Sequence, residues 1–338
     1  MTTRLDNRKA TIVDVARHAG VAVSTASAAV NGKLGKWGKP AVAPAKYAAV
    51  MRAVQDLNFE ANSAARSLVT GKSGVIAIWV PTVYDAVYMR VVKCIMDGAT
   101  EFGMTTAIRE GRELTTIGKN SSASPVDGII GHDTATLLEA YLEATQFPVP
   151  VVSVGASYTL NCDTVGIDGQ QGAITAARHL IDVGCRHIAY VCSQGHTVND
   201  GGRRHAYLTV CADAAIEPQF VPVNVYNRAH ARDQVRSWLE EGHKVDGFFC
   251  WNDVVATVAN VAAHDCGRRV PDDIAIIGSD GIEEIEFQYP ALSTVSQPVE
   301  EMVRRALELL QRRLSEPTAE LVHDILPMTL VQRDSTKR

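Results

Sequence analysis

Apolar positions recur at helical spacing through the first sixty residues, then from Val75 gather into short continuous runs separated by amphipathic stretches. In the first part Ile12, Val15, Ala16 and Ala19 make one apolar face. Thr11-Ile12-Val13-Asp14 has the form of a capping box, and Gly20 stops the helix. After the turn Gly20-Val21-Ala22 a second short helix is predicted to Val30, closed by Asn31-Gly32. A third begins near Pro44, whose fixed φ suits a first helical position, and continues through Val50, Ala53, Val54 and Leu57. Residues 61–70 carry a further short helical pattern with Asn62 at its cap, then Gly71-Lys72-Ser73-Gly74 as linker. The Lys- and Gly-rich stretch 33–39 reads as an exposed basic loop.

Beyond residue 74 the texture is alternating strand and helix. Buried strands are predicted at 75–80, 105–108, 128–130, 149–154, 187–192, 247–250 and 274–277, and helices at 89–102, 172–183, 203–215, 231–241 and 254–266. Repeated βα units mean parallel sheet with helices on both faces, and this many units mean two lobes.

Charge divides the chain at the same place. The whole carries a formal −5. Up to Ser73, however, there are 11 Lys and Arg against 4 Asp and Glu, a net of +7, and the rest holds 22 against 34, a net of −12. A basic head on an acidic body is what results when only the head meets phosphates. With 338 residues, 46% of them hydrophobic, two or three domains are expected. The seven cysteines (Cys94, Cys162, Cys185, Cys192, Cys211, Cys250, Cys266) form no C-x-x-C pair and no zinc-spaced cluster, so reduced, buried thiols are expected. Met1 to Ala10 contains no apolar run, and no stretch approaches the roughly 20 apolar residues of a membrane helix. A cytoplasmic, nucleoid-associated protein without metal or cofactor is expected.

Two helices joined by a tight Gly20 turn are the helix-turn-helix arrangement, whose second helix enters the major groove. Its leading residues here are Val23, Ser24, Thr25, Ser27 and Ala28. The hydroxyls can bond bases or phosphates, and Val23 or Ala28 can touch a thymine methyl. An ordinary helical hairpin shares the same geometry.

The run from Ala10 to Ala16, with Ala19-Gly20-Val21, Thr25-Ala26-Ser27 and Asn31-Gly32, closely resembles the N-terminus of the lactose-repressor (LacI) family. Asn62-Ser63-Ala64-Ala65-Arg66-Ser67-Leu68 resembles that family's hinge helix. The resemblance implies DNA contacts by Thr11, Asn31, Asn62, Ala65, Arg66 and Leu68 beside the recognition-helix residues. Leu68 becomes a wedge in the minor groove, where core or linker packing is the plainer alternative. Three departures bear on which sequence is read. Ala22 lacks the usual Ser oxygen at the recognition-helix cap, about 1 kcal/mol of capping unless Ser24 substitutes. Ala28 stands where the family often places Arg, removing a guanine contact. The 33–39 loop is longer than usual.

Further blocks carry the resemblance through the body: Val126-Asp127-Gly128-Ile129-Ile130, Ile167-Asp168 with Gly172-Ala173, Pro271-Asp272-Asp273-Ile274-Ala275, Gly278-Ser279-Asp280, and the closing Arg333-Asp334-Ser335-Thr336. The implied fold class is an N-terminal all-α helix-turn-helix head on an α/β body like periplasmic binding proteins, two Rossmann-like lobes with ligand between. The expected division is 1–60 head, 61–73 hinge helix and linker, 74–338 sensing and dimerising body, its lobes roughly 74–172 with 298–330, and 173–297.

In open α/β sheets ligands lie beyond the carboxyl ends of strands. Asn252 and Asp253 follow one predicted strand and Asp280 another, while Arg203 opens a helix. Trp251, Trp79, Tyr84 or Tyr88 can stack on an apolar ring face. By family position Arg203, Asn252 and Asp280 match ligand contacts, with Gln297 beside them. Helix capping is the alternative for Asp280 and for Asn252-Asp253. Asp168 is expected to hold its loop, and His179 and His187 to be packed or superficial.

No enzyme is indicated. Gly166-x-x-Gly169-x-x-Gly172 is not a dinucleotide fingerprint, no P-loop, G-x-S-x-G or H-E-x-x-H occurs, and the pairs Glu283-Glu284, Glu300-Glu301 and Asp272-Asp273 read as solvated faces. The resulting expectation is a sequence-specific repressor controlled by a small polar, sugar-like effector. Its expected partner is a near-palindromic double-stranded operator, bound as a homodimer because one recognition helix reads a half-site. Only Lys337 and Arg338 follow Thr336, so no tetramerising heptad segment is expected. A sugar-binding receptor and a DNA-bridging protein are the alternatives.

Overall fold

The computed structural model describes residues 9–30, 42–60, 72–111, 126–145, 148–195 and 202–338. The chain divides into two compact units, Met1–Ser73 and Gly74–Arg338.

In the first unit α1 (Ile12–His18), α2 (Val23–Val30) and α3 (Pro44–Asp56) surround a small core. The Thr11 capping box forms: Thr11 N–H donates to Asp14 Oδ2 at 2.9 Å, and Asp14 N–H donates to Thr11 Oγ1 at 3.4 Å. Val15 and Ala16 of α1, Ala26 and Ala29 of α2, and Val50 and Ala53 of α3 are buried together with Val42. Alanines at the contacts let short helices approach closely, and Gly20 turns the chain at φ 63°.

The second unit holds two six-stranded sheets. The first runs β11-β5-β4-β3-β1-β2, built from β1 (Val75–Val80), β2 (Thr105–Glu110), β3 (Gly128–His132), β4 (Val151–Gly155), β5 (Asp163–Ile167) and β11 (His323–Leu326). All its pairs are parallel. It is flanked by α4 (Ala86–Glu101), α5 (Ala135–Ala144) and α10 (Val299–Ser315). The second runs β12-β10-β9-β8-β6-β7, from β6 (Ile188–Ser193), β7 (Gln219–Val223), β8 (Gly247–Cys250), β9 (Ala275–Asp280), β10 (Ser293–Ser296) and β12 (Thr329–Val331). Its helices are α6 (Gly169–Asp182), α7 (Arg203–Asp213), α8 (Arg228–Glu240) and α9 (Asp253–Asp265). Strands such as β3, β4 and β9 are buried along their whole length, as parallel strands covered on both faces must be.

The chain passes between lobes three times: after β5, after β10, and after β11. The third passage corrects the expected boundary. Strand β12 pairs antiparallel with β10 in the second lobe, so residues 298–330 do not all belong to the first. The closing residues stay in the second lobe. Ser335 Oγ donates to the Ile276 carbonyl at 2.6 Å, and Ser293 Oγ and His179 Nε2 both contact Thr336 Oγ1, at 2.7 and 2.8 Å.

Candidate functional site

Of the head residues singled out, Val23 and Ser24 lie exposed at the start of α2, with Thr25 and Ser27 half-buried beside them. Ala28 is half-buried, its methyl packed against the core of the head. Thr11 is occupied as the cap of α1. Ala22 passes its carbonyl to the N–H groups of Thr25 and Ala26 but has no side-chain oxygen for the cap. Asn31, Asn62, Ala65, Arg66, Leu68 and the 33–39 loop lie outside the described residues.

In the body a cavity of about 1160 Å³ opens at the carboxyl ends of the strands of both sheets. Tyr84, Arg203, Trp251, Asn252, Asp280 and Gln297, all singled out from sequence, line it, as does Tyr88. Trp79 does not. Only 3% exposed, it stands edge-on to Tyr141 of α5, with ring centroids 5.4 Å apart. The two-residue period of β1 explains this: Ala77 and Trp79 face α5, while Ile76, Ile78 and Val80 enter the other layer.

Asn252 lines the cavity and also caps α9, accepting the Val255 N–H at 2.8 Å. Asp168 likewise caps α6 through the Gln171 N–H at 2.8 Å. Asp280 caps no helix. It is the last residue of β9 and 5% exposed; its Oδ1 accepts from Gln297 Nε2 at 2.7 Å and lies 3.8 Å from Arg203 Nη2. Arg203 is the first residue of α7, where the helix dipole disfavours a cation. The Asp280 carboxylate opposes that penalty. Burial pushes the Asp280 carboxyl well above its ordinary range, the Arg203 guanidinium working the other way.

The backbone at Asp280 is strained, with φ 122°. Asp253 holds it there. Its Oδ2 accepts the N–H groups of Gly281 at 2.6 Å and Ile282 at 2.9 Å, and its Oδ1 accepts the Thr294 hydroxyl at 2.7 Å. Gly281 itself has φ 79°, and a Cβ there would lie 2.1 Å from Ser296 Oγ, so only glycine fits. Burial raises the Asp253 carboxyl to about 6, with the Thr294, Ile282 and Gly281 hydrogen bonds pulling it down. From the first lobe Arg90 Nη1 donates to the Gly281 carbonyl at 2.8 Å, while its Nη2 pairs with Glu300.

Sequence reasoning missed the acidic wall of the cavity: Asp85, Glu110 and Asp133. Asp85 caps α4, accepting the Val87 N–H at 3.0 Å. Burial raises its carboxyl. Asp133 sits at φ 52° and accepts the Ser157 N–H at 2.7 Å; a Cβ on Gly155 would lie 2.5 Å from its Oδ1. Glu110, the last residue of β2, is the one of the three whose place at a strand end gives a sequence signal. Behind the wall His132 is wholly buried, neither ring nitrogen has a hydrogen-bond partner, and burial lowers its basicity. No cluster of three or more metal-ligating side chains occurs among the described residues. No helix among them is long and apolar enough to cross a membrane.

Residues 11–62 match the family described as bacterial regulatory proteins, lacI family, and residues 177–336 match the periplasmic binding protein-like domain. The chain is 30% identical to the ribose operon repressor of Halalkalibacterium halodurans over 331 residues, 97% of each chain. The transcriptional regulator CelR in complex with cellobiose superposes with a TM-score of 0.67 at 26% identity, covering 96% of this chain and 99% of the other. The Lac repressor bound to ONPG in its repressed state shares the fold, with a TM-score of 0.82 at 22% identity over 97% and 100% of the two chains.

Proposed function

The chain belongs to the lacI family of bacterial regulatory proteins, a DNA-binding transcription regulator with a ligand-binding body, and on that premise we propose that it is a dimeric repressor whose operator affinity is set by a sugar-like effector bound between its lobes. One observation carries the reading: hydrogen-bonding side chains from both lobes and from a crossing segment converge on a single cavity. Arg203, Asn252 and Asp280 come from the second lobe, Asp85 and Asp133 from the first, and Gln297 from the segment after β10 that crosses between them. A ligand bridging these groups has more contacts when the lobes close than when they part. Ligand binding and lobe angle are therefore linked thermodynamically.

The relatives named above point the same way: one is a ribose operon repressor and another was solved with cellobiose. Two recognition helices related by a dimer axis read a near-palindromic site, with the small side chains of Val23, Ser24 and Thr25 against base edges. Leu68 contributes by wedging the operator centre. A coupling of ~1–3 kcal/mol between cleft and operator changes affinity roughly five- to 150-fold.

Selection of binding sites from a random duplex library, followed by competition against random DNA at fixed salt, tests the reading. The expected product is an inverted repeat bound at least about a thousandfold more tightly than random DNA. A DNA-bridging protein gives little enrichment, and a receptor without DNA function gives none. A panel of sugars is then applied to the complex with the selected operator, where an effector alters its affinity.

A further inference from the structure

The two walls of the cleft differ in charge. The second lobe contributes Arg203, Arg228 and Asp280, with Arg203 and Asp280 close enough to offset each other. The first contributes Asp85, Glu110 and Asp133, and no Lys or Arg among its described lining residues. One oxygen of each carboxylate is fixed by a backbone amide: Val87 on Asp85 at 3.0 Å, Val83 on Glu110 at 3.2 Å, Ser157 on Asp133 at 2.7 Å. Such bonds orient the groups without neutralising them.

A separate observation at the same cavity asks for donors. Gln297 is 4% exposed; its Nε2 is committed to Asp280, and its Oε1 is buried with no hydrogen-bond donor. A buried acceptor left unmet is unfavourable, so an occupant that offers a hydroxyl donor near Gln297 is favoured. An anionic occupant, whether phosphate or carboxylate, faces three carboxylates as water leaves. A neutral polyol satisfies the hydrogen bonds and leaves their charge uncompensated.

Taking the cleft as the effector site, we propose that the effector is a cationic amino sugar or amino polyol. Its protonated amine lies against the Asp85, Glu110 and Asp133 wall, and its hydroxyls lie toward Gln297 and the second lobe.

Calorimetry on the full-length protein with matched pairs tests this: glucose and glucosamine, galactose and galactosamine, mannose and mannosamine, ribitol and 1-amino-1-deoxyribitol. The N-acetylated hexosamines serve as neutral controls and glucose 6-phosphate as the anion. In at least one pair the amine is expected to bind about tenfold or more tightly than its hydroxyl partner, the weight of one charge-assisted hydrogen bond, and N-acetylation to remove the gain. Asp133→Asn retains an acceptor for Ser157 and is expected to weaken the amine about tenfold and the neutral partner by much less. Glu110→Gln provides a second variant, and melting curves confirm that each is folded. Tighter binding of a neutral sugar or of the phosphate overturns the charge assignment, as does equal loss of amine and neutral partner in Asp133→Asn. If that neutral or anionic ligand also alters operator affinity, the effector reading stands and the charge assignment alone falls. A panel with no binder at all overturns both.

Discussion

The carboxylate of Asp253 accepts the backbone N–H of Gly281 at 2.6 Å, and through that bond the start of one helix holds the strained end of a neighbouring strand. Asp280 points into the cleft because the peptide that follows it is pinned. Asp253 is thus a positioning residue, and removing it has consequences at Asp280.

Asp253→Ala leaves the Gly281 and Ile282 amides without their acceptor and is expected to cost ~3 kcal/mol of stability. Asp253→Asn keeps an acceptor for those amides and a partner for Thr294. The two differ in pH dependence. With the folded carboxyl raised to about 6, above its unfolded value, the folded state binds more protons in that interval. Wild-type stability therefore falls as pH rises from about 4 to about 6, and an ionisation penalty of ~3 kcal/mol stays in place above it. Urea unfolding across that range is expected to show wild type losing ground to Asp253→Asn as pH rises. Parallel profiles contradict the assignment.

His132 gives the opposite sign. Its folded basicity is lowered by burial, so the unfolded chain takes up the proton first and stability is lost as pH falls below about 6.5. His132→Phe keeps an aromatic edge against Tyr88, whose ring centroid lies 5.1 Å away. Melting temperatures of the two proteins are expected to diverge below that pH, the variant being the more acid-resistant.

Arg90 links the lobes, holding the Gly281 carbonyl with one nitrogen and Glu300 with another. Arg90→Lys retains the charge and loses the fork. The half-saturating effector concentration in an operator-release assay is expected to shift by about tenfold, with salt-dependent binding to random DNA unchanged. An equal change in both contradicts a role in coupling.

Leu68→Ala tests the wedge. Specific affinity is expected to drop by about 2 kcal/mol, the scale of partly unstacking a base step, while binding to random DNA is retained. Unaltered operator affinity removes Leu68 from the interface.

What the sequence disclosed followed from burial. Strands at 75–80 and 247–250 were legible because both faces are covered and every position is apolar. Strands β5 and β10 escaped because their buried residues are polar and satisfied from far along the chain: Asp163 by Arg313, Ser293 by Ser335 and Thr336, Thr294 by Asp253. Helix α10 was hidden by its acidic and basic face, although Met302, Val303, Ala306 and Leu310 bury its other side. The second-lobe half of the cleft could be read by motif. Asp85 and Asp133 could not, since a capping aspartate and a left-handed aspartate look alike in sequence whether or not a cavity lies beside them. Trp79 was misplaced because a single strand does not reveal which face looks toward the site.

The most direct test of a DNA-binding head governed by a ligand cleft is fluorescence anisotropy on the selected operator, with and without effector, for wild type and Asp280→Asn. This substitution keeps an acceptor for Gln297 and suits the positive φ. Effector is expected to change wild-type operator affinity by roughly five- to 150-fold and to leave the variant's affinity unchanged, with equal binding of both proteins when no effector is present. A variant that responds as wild type does contradicts the account.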